Sequence, residues 1–185
     1  VKRAAFIAFE EFAMWQVALL QKFLRDKNWQ IDTLTLGGHD VRTDGGITVR
    51  ADRPMEEAEP NDYQLLLFPG AGGEIRESLL DSNTLKGFIQ TFEGPIAASC
   101  ASALFLASAG KLTGKYTTTE IIKERYDAYF QTGEYTNQDV CVDGGIITSK
   151  GFAHFEFMMK VIELLGLSDE DPSLQRVALK LARNN

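Results

Sequence analysis

The feature that most constrains this chain is the alternation of short apolar runs with segments of helical spacing along its length. Strand-length runs separated by amphipathic helices predict a parallel sheet with helices on both faces. Residues 4–9 and 30–36 read as the first two strands, and residues 63–68 and 95–99 as two more. Between the first two, Phe12, Trp15, Leu19, Leu20, Phe23 and Leu24 recur at the spacing of one helix face. Leu85, Phe88, Ile89 and Phe92 mark a second helix. Phe155, Met158, Val161, Ile162 and Leu165 mark another, stopped by Gly166. Asp171 and Pro172 are suited to cap and start a last helix, with Leu174, Val177, Ala178 and Leu181 on its apolar face. Two hairpins are expected, around Asp44-Gly45-Gly46 and Asp143-Gly144-Gly145. No repeat, low-complexity tract or linker intervenes, so a single domain is expected over residues 1–185.

Charge narrows the partners. The formal net charge is -7, which disfavours an extended nucleic-acid surface. The first residues lack a signal-peptide pattern, and no apolar run is long enough to span a bilayer, so no membrane partner is expected. Two cysteines, Cys100 and Cys141, cannot build a disulfide framework and read as reduced thiols in a cytoplasmic protein. With only His39 and His154 as histidines, a histidine-rich metal site is excluded. No nucleotide fingerprint is present, so neither metal nor organic cofactor is expected.

Chemistry is concentrated around Cys100. A strand ends at this cysteine and a helix rich in small residues begins at once, with Ala98, Ala101 and Ser102 permitting a sharp turn. A thiol facing a helix start favours the thiolate; the same cysteine also suits a small apolar filler at a strand end. The strand over residues 63–68 runs into Pro69-Gly70-Ala71-Gly72-Gly73, which can bring backbone N–H groups to a ligand or can simply turn the chain. Gln16 lies close to the apolar stripe of the first helix, and if buried it needs partners; on the helix surface it needs none. Cys141, on a hairpin strand, reads as structural.

The chain resembles the ThiJ/PfpI (DJ-one/PfpI) family of the class I glutamine-amidotransferase-like superfamily over nearly its whole length. The resemblance rests on Phe12-Ala13-Met14-Trp15-Gln16, Leu67-Phe68-Pro69-Gly70-Ala71-Gly72-Gly73, Ala97-Ala98-Ser99-Cys100-Ala101-Ser102-Ala103, Gly110-Lys111-Leu112-Thr113-Gly114-Lys115, and Asp143-Gly144-Gly145-Ile146-Ile147-Thr148-Ser149-Lys150-Gly151. It implies a flavodoxin-like, doubly wound, mostly parallel sheet with a nucleophile elbow, and a homodimer. It implies Cys100 as nucleophile, Gln16 beside it, the N–H groups of Ala71 and Ala101 as oxyanion donors, and Gly70, Gly72, Ser102 and Thr119 around the pocket. Three positions depart from the family pattern. Gln16 stands where a glutamate is usual, Thr119 where many members have a histidine, and Ser102 where a glycine is frequent.

An amide can donate a hydrogen bond to a thiolate but cannot serve as a general acid or base near neutral pH. Three functions therefore compete: a cysteine-dependent enzyme acting on a small carbonyl or amide compound (hydrolase, glyoxalase or deglycase-like), a redox-sensing or stress-response protein with an oxidisable Cys100, and a retained fold without catalysis. Glu10, Glu11 and His154 are the remaining groups that could assist the thiol.

Overall fold

A computed structural model of the chain describes residues 1–168 together with Arg176 and Lys180. The expected last helix, from Asp171 to Leu181, lies outside the described residues apart from those two positions.

Seven strands form one sheet: β1 (Arg3–Ile7), β2 (Gln30–Thr35), β3 (Arg53–Pro54), β4 (Leu65–Phe68), β5 (Ile96–Ser99), β6 (Val140–Asp143) and β7 (Ile146–Ser149). Their spatial order is β6-β7-β5-β4-β1-β2-β3. Every neighbouring pair is parallel except β6 with β7, the hairpin expected around Asp143-Gly144-Gly145. Besides a one-turn helix over Glu77–Leu80, the helices among the described residues include α1 (Ala18–Asp26), α2 (Asn83–Thr91), α3 (Ala103–Ser108), α4 (Glu120–Arg125) and α5 (His154–Leu164). This is the flavodoxin-like, mostly parallel architecture expected from the sequence.

The centre of the sheet explains the apolar runs. Leu65, Leu66, Leu67 and Phe68 are all fully buried, as a strand covered on both faces requires. In β5 the strand is built from Ile96, Ala97, Ala98 and Ser99. α1 buries Leu20, Phe23 and Leu24 and leaves Leu19 exposed. Gly166 follows α5 with φ 69, the left-handed stop that glycine favours.

One expected element is shorter than its periodicity suggests. Phe12 and Ala13 are not helical; they pair antiparallel with Ala71 and Gly70. A 3-10 turn over Met14–Gln16 follows, and α1 begins only at Ala18. Phe12 is fully buried, but as part of this short ribbon. A two-residue ribbon is too short to show a period of two, so its apolar residues merge with those of the helix behind it.

A buried polar cluster sits near the start of β1 and β2. Asp32 accepts hydrogen bonds from Gln30 Nε2 (2.7 Å), Tyr63 Oη (3.0 Å) and Arg3. Burial alone pushes the Asp32 carboxyl up, but the bonds from Gln30, Arg3 and Tyr63 outweigh it and hold the group below its ordinary range. Burial, then the Asp32 carboxylate, pushes the Tyr63 phenol up to about 12.

Candidate active site

The chain reverses direction across the sheet between β1 and β4: from β1 it winds outward through β2 and β3, then returns to β4 on the other side. Such a reversal opens a crevice beyond the carboxyl ends of the strands. The segments leaving β1, β4 and β5 carry Gln16, Gly70 and Cys100 into that region.

Cys100 has φ 54, a left-handed conformation for a residue other than glycine. Ser99 before it is extended, and a 3-10 turn over Cys100–Ser102 leads into α3. This is the geometry of a nucleophile elbow. Such a conformation costs about 1–3 kcal/mol and persists where neighbours fix it. Thr118 Oγ1 donates to the Cys100 carbonyl at 2.8 Å, and Ser102 Oγ donates to the Pro69 carbonyl. Ser102 is fully buried in this tie between two loops. It braces the elbow.

Gln16 is only 4% exposed, which rules out the surface reading. The early end of the ribbon and the 3-10 turn direct it inward. Its Oε1 accepts from the Gly70 N–H at 3.0 Å and from Ser99 Oγ at 2.9 Å. Ser149 Oγ donates to Ser99 Oγ at 3.4 Å, extending the network into β7. The other end of the amide borders the thiol. A Cβ built on Gly151 would stand 2.9 Å from Gln16 Nε2 and 3.0 Å from Cys100 Sγ. A Cβ on Gly70 would fall 2.1 Å from Gln16 Oε1 and 2.7 Å from Cys100 Cβ. Both positions therefore admit only glycine without displacement of the site.

Thr119 Oγ1 lies 3.6 Å from Cys100 Sγ, so the residue standing where a histidine is frequent does touch the thiol. Gly72 faces elsewhere. Its N–H donates to the Glu11 carbonyl at 2.8 Å, and a Cβ there would meet Asp44 Cβ at 2.3 Å. Backbone N–H groups alternate along an extended pair, so the Ala71 N–H points away from the edge on which Gly72 is held. Ala101 follows the thiol in the elbow turn.

Among the described residues, none of the three candidate assistants makes a hydrogen bond with Cys100. Glu10 Oε2 accepts from the Arg42 N–H at 3.2 Å, and Glu11 is exposed with φ 62. His154 opens α5 with its ring edge-on to Trp15 at 5.4 Å. Trp15 Nε1 donates to Asp44 Oδ2 at 3.0 Å. Cys141 is a buried free thiol in β6, and burial pushes its pKa up. Among the described residues no three His, Cys, Asp or Glu side chains converge as a metal site needs.

Sequence reasoning singled out Cys100, Gln16, Gly70 and Thr119, and these four meet. It assigned no role to Ser99, Thr118, Ser149 and Gly151, although three of them stood in matched segments. Their signal is a run of small polar or side-chain-free residues beside the cysteine, which composition does not separate from ordinary turns.

The same fold occurs in known proteins. A solved structure, the DJ-1 superfamily protein Atu0886 from Agrobacterium tumefaciens, superposes with a TM-score of 0.82 at 26% identity, covering 100% of this chain and 99% of that one. Deglycase TK1284 of Thermococcus kodakarensis is 31% identical over 109 residues, 57% of this chain and 63% of that protein. An uncharacterized protein of Methanocaldococcus jannaschii, MJ0967, is 28% identical over 109 residues; the match spans 57% of this chain and about half (53%) of that protein. The model of the DJ-1/PfpI family matches residues 2–164, from the start of β1 to the end of α5. A match that takes in every strand of the sheet and the cysteine elbow leaves one assignment: the chain belongs to the DJ-1/PfpI family.

Proposed function

We propose that the protein is a cysteine-dependent enzyme acting on a small carbonyl or amide compound. The observation that carries this reading is the strained elbow, which holds Cys100 against Gln16, Thr119 and Gly151 at a strand end. With an aldehyde, the sulfur forms a bond to the carbonyl carbon, the C=O π bond breaks, and the thiol proton ends on the oxygen, giving a hemithioacetal. With an amide the same addition gives a tetrahedral intermediate, which expels the amine and leaves a thioester for water to cleave. The N–H groups of Ala71 and Ala101 meet the charge that grows on the oxygen. Gln16 orients the thiol side of the site, and Thr119 Oγ1 carries a hydrogen bond to sulfur. None of these is an acid or base near neutral pH, so water or a substrate group moves the protons. No cofactor is needed for these steps.

That one relative is named a deglycase is consistent with carbonyl chemistry at such a cysteine. The protein is further proposed to be cytoplasmic and to act as a homodimer; Trp15 and Leu19, exposed at the start of the first helical segment, suit a contact between copies. The test is turnover of small aldehydes, dicarbonyls and amides by the native chain and by Cys100→Ala. Loss of at least a hundredfold in the variant is expected, and equal turnover rejects the mechanism.

A second reading is favoured by the sulfur's hydrogen-bond contact, which is to the Thr119 hydroxyl and, among the described residues, not to a titratable group. Peroxide would transfer one oxygen to the Cys100 thiolate, giving sulfenate and releasing water, a step that needs no protein base. Intact-mass spectra under mild peroxide should then gain one oxygen at Cys100 before Cys141.

A further inference from the structure

A cavity of about 320 Å3 is lined by Thr119, which contacts the Cys100 sulfur, and by Glu120, Ile121, Lys150 and Phe152. Its two walls come from separate segments, and each wall begins at a residue packed against Cys100. Thr119 Oγ1 is 3.6 Å from the sulfur. Gly151, between Lys150 and Phe152, approaches so closely that a Cβ would stand 3.0 Å from it. The space thus lies next to residues that touch the sulfur, within reach of a group attached to a carbon bound at Cys100. A larger depression, of about 670 Å3, lies elsewhere, around Val1, Trp29 and Arg53 near the start of β1 and β2.

The chemistry of the lining is specific. Ile121 and Phe152, both large and apolar, are each 67% exposed and line the same small opening. Glu120 and Lys150 bring opposite charges, and neither forms an ion pair with the other among the described residues. Lys150 Nζ is instead held by Asn137 Oδ1 at 2.7 Å. The opening thus offers apolar surface and no net charge. Its volume is at the lower end of ligand pockets, which run from about 300 Å3, and is roughly twice that of a cavity that accepts benzene.

We infer that this cavity is a side-group pocket, and that it selects carbonyl compounds bearing an uncharged apolar substituent of roughly butyl to phenyl size. The inference rests on the reading of Cys100 as the nucleophile, and it makes Phe152 and Ile121 the residues that set specificity.

The test uses Cys141→Ser protein and a series of N-substituted maleimides: methyl, butyl and phenyl. Each adds its C=C bond to the sulfur, with the thiol proton ending on the adjacent carbon, so the rate reads access to Cys100 without turnover. Rates are divided by those of glutathione with the same reagent. A rise of about two- to fourfold per methylene is expected, hence about tenfold or more from methyl to butyl. Phe152→Ala with Ile121→Ala should abolish most of that rise and leave the methyl rate within about twofold. Both side chains are mostly exposed, so the melting temperature should hold. A flat series in the parent, a series unchanged in the double variant, or rates that fall as protein concentration rises (a second copy covering the opening) would overturn the pocket. Turnover separates this from the proposed function. A size-dependent series with no carbonyl compound turned over sinks the enzyme reading and leaves the pocket. A flat series with turnover lost in Cys100→Ala does the reverse.

Discussion

Replacing Gln16 with leucine keeps the volume of the side chain and removes its acceptor, so it isolates what the amide oxygen holds. Oε1 accepts from two buried donors, the Gly70 N–H and the Ser99 hydroxyl. The two donors respond differently to its loss. Ser99 Oγ can rotate toward Ser149 Oγ, already 3.4 Å away, and so loses one net hydrogen bond, worth about 1 kcal/mol. The Gly70 N–H is fixed by the backbone and has no such alternative, and a buried amide left unpaired costs about 1–3 kcal/mol. Gln16→Leu should therefore destabilise the fold by about 2–4 kcal/mol, or roughly 5–15 °C in melting temperature for a chain of this length. Ser99→Ala removes the shared bond and the longer one from Ser149 Oγ, and should cost about 1–2 kcal/mol. The two changes are not independent, because both delete the Gln16–Ser99 bond. Urea unfolding of the two single variants and the double variant should show a coupling of about 1 kcal/mol. Strict additivity, or a Gln16→Leu cost below about 0.5 kcal/mol, would refute the view that Gln16 is the post joining the loops after β4 and β5.

Gly151→Ala places a methyl 3.0 Å from the sulfur and 2.9 Å from Gln16 Nε2. Iodoacetamide labelling of Cys100 should slow by at least tenfold while stability falls by about 1–3 kcal/mol, the range for overpacking; labelling at the native rate would mean the thiol is approached from another side. Tyr63 tests the buried cluster at the far end. Its folded pKa of about 12 exceeds the unfolded value of about 10. The folded state thus binds more protons, so its contribution is fully present below about pH 10 and is lost as pH rises toward about 12. Denaturant midpoints at pH 9, 10 and 11 should fall with pH in the native chain and less steeply in Tyr63→Phe; identical slopes would contradict the assignment.

The sheet was legible because its strands are buried on both faces. Leu65, Leu66, Leu67 and Phe68 leave no other economical placement, and Asp143-Gly144-Gly145 announces the one antiparallel edge. The turn at Cys100 was legible for a related reason: a strand of small residues followed at once by more small residues permits a sharp turn. What failed was the first helix. Phe12 has the spacing of that helix yet belongs to the ribbon with Ala71, because pairing with the loop after β4 satisfies backbone groups that a longer helix would leave beside a buried site. That single shift decides the fate of Gln16. On a continuous helix from Phe12 the amide sits at the edge of an apolar stripe, free to face solvent. On the 3-10 turn it is carried under Gly70, between two buried donors.

The departures from the family pattern follow the same geometry. An oxygen at position 16 is needed to receive the Gly70 N–H and the Ser99 hydroxyl, whether amide or carboxyl carries it, so replacing glutamate by Gln16 preserves the scaffold while removing a proton donor and acceptor from the thiol. Thr119 likewise keeps a polar contact on sulfur without keeping a base. Architecture and acid–base capacity are therefore separable at this site, and the chain has retained the first. On the proposed reading, a nucleophile so placed gains nothing from its neighbours in moving protons, and its selectivity comes instead from what the substrate presents to the opening lined by Ile121 and Phe152, two exposed apolar side chains.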